Sequence, residues 1–201
     1  VEIPKKDFDM NMKEITIDGL KALISLSGDD PTRTGMEETP NRFVKAFLEM
    51  CSGYKENPLD HLQKEFDLSD TGDGHTPYGG MIISKDIPFV SLCEHHMLPF
   101  HGTIHMGYIP GESGKVVGLS KLARMADGYA RRFQVQERLT QQIGDGLQSL
   151  NPQGAIVVVQ AQHACQCFRG VRKSGSMITS AVYGAFKEQP AREEFLTLLR
   201  L

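Results

Sequence analysis

Two stretches rich in β-branched and aromatic residues, 81–90 and 102–109, bracket the ten residues Ser91-Leu92-Cys93-Glu94-His95-His96-Met97-Leu98-Pro99-Phe100. Such stretches read as strands, and the simplest arrangement is an antiparallel pair with the intervening segment at or near their connection. This feature constrains the chain most, because the connection carries a thiol, a carboxyl and two imidazoles in consecutive positions. Cys93 and His96 stand in a C-x-x-H spacing, which lets one tight turn offer a sulfur and a nitrogen to one metal ion. His95, between them, is left for proton transfer. The plainer alternative is a buried cysteine beside two turn histidines, since a short Cys/His run is by itself only compositional.

On the N-terminal side, Met12, Ile15, Leu20, Leu23 and Ile24 predict an amphipathic helix over residues 12–27. Gly28-Asp29-Asp30-Pro31-Thr32-Arg33-Thr34-Gly35 is a loop by its turn residues. Thr39-Pro40 then opens a second helix, threonine capping the free amides and proline taking the first helical position. Phe43, Val44, Phe47, Leu48 and Cys51 share a face of it, which makes Cys51 core filling. Arg42 and Lys45 lie one turn apart near its start and by themselves read as solvated surface. Residues 67–80, rich in Asp and Gly, miss the EF-hand spacing and its closing Glu and read as a mobile loop.

On the C-terminal side, residues 120–132 place Leu122, Met125, Ala126 and Tyr129 on one helical face, and residues 135–150 carry Leu139, Ile143, Leu147 and Leu150 as a stripe. Gly144 and Gly146 weaken this second helix by about 1 kcal/mol each relative to alanine. Residues 155–163 and 176–186 supply two further strands, and 190–201 a closing helix. His101 and His105, on one face of the second strand, are read as structural. The prediction is a single α+β domain over 1–201, with an N-terminal helical segment (1–66) and a core (81–201). The core holds an antiparallel β-sheet in β-β-α-α-β-β order with its helices on one face.

Composition narrows the function. A net charge of −3 argues against a nucleic-acid binder held by phosphate contacts, so any anionic ligand must be met by a local cluster of Arg and Lys. No run approaches the roughly 18 apolar residues that span a bilayer. The first residues, Val1-Glu2-Ile3-Pro4-Lys5-Lys6, show no apolar h-region, so a cytoplasmic protein is expected. Cysteines at 51, 93, 165 and 167 are too sparse for a disulfide framework and leave thiols available for metal binding or catalysis.

The third long β run ends in Gln162-His163-Ala164-Cys165-Gln166-Cys167-Phe168-Arg169-Gly170. Cys93, His96 and one of Cys165 or Cys167 would make three soft ligands suited to zinc, with a fourth position open to water. Using both Cys165 and Cys167 would instead close a four-ligand structural site, although ligation that close along a strand twists the chain. His95 and His163 remain as unligated imidazoles suited to acid–base work.

Taken together, Cys93-Glu94-His95-His96, Gly118-Leu119-Ser120-Lys121-Leu122-Ala123-Arg124, Gln134-Val135-Gln136-Glu137-Arg138-Leu139-Thr140 and His163-Ala164-Cys165 with Arg169-Gly170 resemble GTP cyclohydrolase I in its zinc form. The likeness runs from about Asp29 to Leu199, four motifs in the right order. It implies the tunnelling fold and a Zn2+ site of Cys93, His96 and Cys165, with Cys167 a bystander. His163 would be the acid that protonates the purine at N7 during water attack at C8. His95 would be the second proton-transfer residue, and Gln136 and Glu137 the readers of guanine. Arg42, Lys45, Lys121, Arg124 and Arg169 would meet the triphosphate, with Ser120 adding a hydroxyl; this replaces the reading of Arg42 and Lys45 as mere surface. The implied reaction converts GTP to formate and 7,8-dihydroneopterin triphosphate, in a homodecamer of two pentamers with shared sites. No regulatory protein partner is readable.

A relative on the same fold, such as a deazaguanine nitrile reductase, is the alternative; the complete Cys-Glu-His-His run and Gly118-Leu119-Ser120-Lys121 argue against it. Phe133 and the Asp127-Gly128 pair depart from the family pattern, the latter expected to loosen its helix.

Overall fold

The computed structural model describes residues 5–67 and 78–201, so the loop expected over 67–80 lies almost wholly outside the described residues. Contacts divide the chain into two compact units, Val1–Glu49 and Met50–Leu201. The boundary thus falls before residues 50–66, which the sequence grouped with the N-terminal helices.

The first unit holds α1 (Lys5–Leu26), longer than its apolar pattern, and α2 (Thr39–Met50). The loop between them is bonded to itself. Arg33 forks onto both carboxylate oxygens of Asp29 at 2.7 Å, and Asp30 Oδ1 accepts from the amide and hydroxyl of Thr32. Thr39 does not cap α2 as expected. It is the first helical residue, and its hydroxyl donates back to the Gly35 carbonyl at 3.4 Å.

The second unit opens with 3-10 helices at Ser52–Lys55 and Pro58–Gln63. The strands follow: β1 (Glu65–Asp67), β2 (Ile82–Cys93), β3 (Pro99–Ile109) and β4 (Lys115–Val117). Next come α3 (Leu119–Ala130), β5 (Phe133–Gln134), α4 (Gln136–Gln148), β6 (Gly154–His163), the single turn α5 (Ala164–Cys167), β7 (Met177–Gly184) and α6 (Gln189–Leu198). The long elements keep the expected β-β-α-α-β-β order. They form a five-stranded sheet in the order β5-β2-β3-β6-β7, antiparallel except at its edge, where β5 runs parallel to β2.

Alternation along the strands builds the core. On β3, Phe100, Ile104, Met106 and Tyr108 face inward; across from them on β6 stand Ala155, Val157 and Val159, nearly all fully buried. The stripes of α3 (Leu122, Met125, Ala126) and α4 (Leu139, Ile143, Leu147) close over this face as predicted. The closing helix departs from the one-face expectation. Phe195 of α6 packs with Ile156 and Phe186 in a smaller cluster, fed by the outward residues of β6. The β2–β3 register shifts between Ser84 and Ile87, where Lys85 and Asp86 oppose His105 alone. Asp86 takes a left-handed φ of 57° there, and its amide donates to His105 Nδ1 at 3.1 Å. This bond gives His105 the structural role read from the sequence.

The glycines that weakened α4 on paper have packing reasons. A Cβ at Gly144 would lie 2.6 Å from Cε2 of the Tyr183 ring, and one at Gly146 would lie 2.5 Å from the Met125 sulfur. Gly128 does not loosen α3 either: α3 runs unbroken through it, and its missing Cβ makes room for Pro58, 3.1 Å from the Cβ position. For Gly144→Ala, helix propensity favours the variant by about 1 kcal/mol, while overpacking a rigid ring costs about 1–3 kcal/mol. The expected outcome is a lower melting temperature by thermal denaturation. A rise would mean that the Tyr183 ring moves freely.

Candidate active site

Three chain segments meet at one end of the sheet. The first is the turn after β2. The carbonyl of Cys93 accepts from the amides of His96 and Met97 at 3.2 and 2.8 Å, and the Cys93 amide donates to Leu98 O at 2.8 Å. Met97 reverses the chain with a left-handed φ of 57°. That conformation costs a residue with a Cβ about 1–2 kcal/mol, which these bonds offset. The turn buries Cys93 and leaves both histidines exposed.

The second segment is the end of β6. His163 pairs with Phe100 across the ladder, and their rings stack at 4.5 Å, 3° from parallel. The one-turn α5 then bends the chain so that Cys165 Sγ comes 4.0 Å from Cys93 Sγ. The third is β5, whose two-residue parallel ladder sets Leu92 and Cys93 beside Phe133 and Gln134. The amide of Glu94 adds a bond to Gln134 O at 3.0 Å. Gln136 and Glu137, in the first turn of α4, are thereby brought alongside the Cys-His turn. Arg138 locks this junction with a two-pronged ion pair to Glu94, whose carboxyl it holds below the usual range.

Among the described residues, Cys93, His96 and Cys165 form the group of metal-ligating side chains, their donor atoms all within 4.8 Å of one another. Cys93 Sγ lies 3.6 Å from His96 Nδ1. A tetrahedral ion with bonds of about 2.3 Å to sulfur and about 2.0 Å to nitrogen needs ligand atoms about 3.5–3.8 Å apart, so the donor set fits. Burial, and then the Cys93 sulfur, push the Cys165 thiol up, while Arg169 opposes them. That keeps the proton on Cys165, and a cation bound beside it would reverse the preference. Cys167 is half-buried and outside the group.

Burial lowers the pKa of His163, with the Glu137 carboxylate acting against it. Its Nε2 is 2.9 Å from Gln136 Oε1. Gln136 is itself 1% exposed, and its Nε2 lies within bonding distance of Val159 O, Met177 O and Thr179 Oγ1. Its amide group is therefore fully engaged within the fold, a different setting from that of the exposed Glu137. His95 is exposed, with its Nε2 3.9 Å from Glu94 Oε1.

Ser120, Lys121 and Arg124 share the first turns of α3, where the N-cap residue Gly118 offers no side-chain bond to the helix amides. Arg169 follows α5 and is exposed, as are Arg42 and Lys45 on α2 in the first unit. Sequence reasoning missed Phe100 as the platform for His163 and Arg138 as the clamp on Glu94. Phe100 lies in the stretch 91–100 and Arg138 in a quoted motif, but only the β3–β6 ladder and the Glu94 ion pair show what they touch. The thiol assignment has a direct check. Cys165→Ser is expected to drop metal content from about one ion per chain to a small fraction, with Cys167→Ser unchanged by elemental analysis; equal losses in both would place Cys167 among the ligands.

The family model described as GTP cyclohydrolase I matches residues 17–200. GTP cyclohydrolase 1 of Corynebacterium aurimucosum is 44% identical over 199 residues, covering 98% of this chain and 96% of its own length. That of Streptomyces coelicolor is 46% identical over 195 residues, 96% of this chain and 92% of its own. A solved archaeosine synthase QueF-Like chain in the apo form aligns with 50% of this chain and 92% of its own length at 17% identity and a TM-score of 0.39, too slight a likeness to build on. With the family model matching nearly from end to end and relatives this similar over almost their whole length, the chain belongs to the GTP cyclohydrolase I family.

Proposed function

We propose that this chain opens the imidazole ring of the guanine of GTP by hydrolysis, releases C8 as formate and rearranges the remainder to 7,8-dihydroneopterin triphosphate, at the head of pterin and folate synthesis. The observation that carries the reading is the convergence of Cys93, His96 and Cys165 beside His163 in a member of this family. Zinc suits two thiolates and an imidazole, and when bound it supplies a Lewis acid and a water nucleophile at neutral pH.

The chain's own residues do the rest. His163, oriented by the Phe100 ring, gives a proton to N7 as water adds at C8. His95, open to solvent, moves protons in ring opening and the later steps. The Glu137 carboxylate accepts from the guanine N1–H and 2-amino group; adenine would leave it unpaired, which gives strong discrimination. Lys121 and Arg124 meet the triphosphate at the start of α3, with the Ser120 hydroxyl and the helix amides beside them. Arg169 joins them, its guanidinium fork, like that of Arg124, fixing orientation as well as charge, and Arg42 and Lys45 are read as further phosphate contacts. The net charge of −3 makes such local clustering necessary.

The reading includes a cytoplasmic homodecamer with shared sites. Among the described residues no helix is long and apolar enough to cross a membrane. Met97, Leu119, Phe168 and Val171, on the segments that carry the site, are 54%, 73%, 82% and 68% exposed, as are apolar residues of α1 such as Leu23 at 62%. Neighbouring subunits would cover such surfaces.

The test is incubation of the zinc-replete protein with GTP, following formate and the fluorescence of the oxidised pterin. Formate and pterin in equal amounts are expected, and no turnover would overturn the reading. His163→Ala is expected to keep its metal while turnover falls by about 100-fold or more. Loss of the metal in that variant would contradict the division of roles.

A further inference from the structure

The amide of Gln136 sits in a hydrogen-bond chain whose direction is fixed by the groups at its ends. The hydroxyl of Thr140 donates to the backbone carbonyl of Gln136 at 2.8 Å, which uses its one proton. The 2.6 Å contact between Thr140 Oγ1 and Thr179 Oγ1 must then be donated by Thr179. With its proton spent, Thr179 can only accept at its 3.2 Å contact with the Gln136 side-chain nitrogen. Val159 O and Met177 O, at 3.1 and 3.0 Å from that same nitrogen, are carbonyls and can only accept. All three neighbours therefore call for the NH2 group on this side of the amide. Rotating the amide by half a turn would set its oxygen against two carbonyl oxygens and leave its NH2 group facing His163.

The other end of the amide follows. Gln136 Oε1 faces His163 Nε2 at 2.9 Å and has no proton to give, so Nε2 must carry one. The neutral ring is then the Nε2–H tautomer, and Nδ1 is the nitrogen with a free lone pair. The Phe100 ring, stacked on the imidazole at 4.5 Å, resists tilting, and the carboxamide resists rotation about the ring normal.

We infer that Gln136 is a positioning residue rather than a reader of guanine: it holds His163 in the Nε2–H tautomer so that Nδ1 is the atom that exchanges a proton with the purine. The inference rests on the reading of His163 as the acid at N7. In the transfer, the N–H bond at Nδ1 breaks and one forms at N7, with the positive charge passing from imidazolium to purine. The Nε2–H bond to Gln136 is present before and after, so the ring need not turn between gaining its proton and losing it. Guanine recognition falls to Glu137, next along α4 and exposed.

The experiment pairs kinetics with a tautomer measurement on the zinc-loaded protein. Gln136→Met keeps the length of the side chain and removes the acceptor; kcat is expected to fall by about 10–100-fold with KM for GTP within about twofold. Thr179→Val leaves His163 and Gln136 in place but removes one of the three acceptors that orient the amide. It is expected to lower kcat by a few-fold, again with little change in KM, and it tests the chain even if Gln136→Met does not fold. Solid-state NMR of protein labelled with 15N-histidine, with the His163 signal assigned by its loss in His163→Gln, should show the Nε2–H form in the unmodified chain. It should show a mixture of tautomers in Gln136→Met. A tenfold rise in KM with kcat preserved, or an Nδ1–H tautomer in the unmodified chain, would overturn the inference. Lack of GTP turnover by the unmodified protein would sink the proposed function instead, and the tautomer spectrum would still decide whether Gln136 orients His163.

Discussion

Upstream of the register shift in β2, the residues that face the helices are Ile82 and Ser84; downstream they are Ile87, Phe89, Ser91 and Cys93. Successive side chains on a strand point to opposite faces, so this change from even to odd positions needs one extra residue. The bulge at Lys85 and Asp86 supplies it, held by the left-handed turn at Asp86 and the amide bond to His105. Without that residue Cys93 would face away from His163 and Cys165, since a shift of one residue moves a whole strand's side chains to the other face. The active site thus depends on a backbone irregularity well removed from it along β2.

The same dependence runs through β3. Phe100 stands opposite Ser91 on one side and His163 on the other, so β3 brings together two halves of a site that are far apart in sequence. What holds β3 in register is the core: Ile104, Met106 and Tyr108 against Val159, Val157 and Ala155. Truncating any one large member of such a set costs about 2–5 kcal/mol, and a slip would misplace all of them at once. The site's own side chains, several of them half-buried or exposed, could not impose that register. They inherit their positions from it.

Much of this could be read from the residues. The apolar stripes of α3 and α4, the two strands around the Cys-His turn and the strand ending at His163 follow from periodicity, because burial on one face leaves a regular trace. Four motifs in order were enough to suggest the family, and full-length relatives bear that out. Other features leave no such trace. A two-residue strand such as β5 has no period to detect, although it is what sets Gln136 and Glu137 beside Cys93. Gly144 read as a defect of α4 because the Tyr183 ring that needs the space comes from β7. Thr39 read as a cap because its neighbours in sequence allow it; the helix begins one residue earlier, and its hydroxyl turns back to Gly35.

By itself, the sequence determined the chemistry on offer: two thiols and an imidazole soft enough for zinc, two further imidazoles for protons, and cations in short clusters within an acidic chain. Local spacing sufficed for that because side-chain chemistry and turn formation are short-range properties. Spacing left Cys165 and Cys167 as equal candidates, and left Gln136 and Glu137 as two similar polar neighbours at the start of one helix. Tertiary structure separated both pairs. A single helical turn after β6 sends Cys165 towards Cys93, and the first turn of α4 points Gln136 into the sheet while Glu137 stays in solvent. Adjacent residues on a helix lie about 100° apart around its axis, so neighbours in sequence meet different surroundings once a sheet lies against one side.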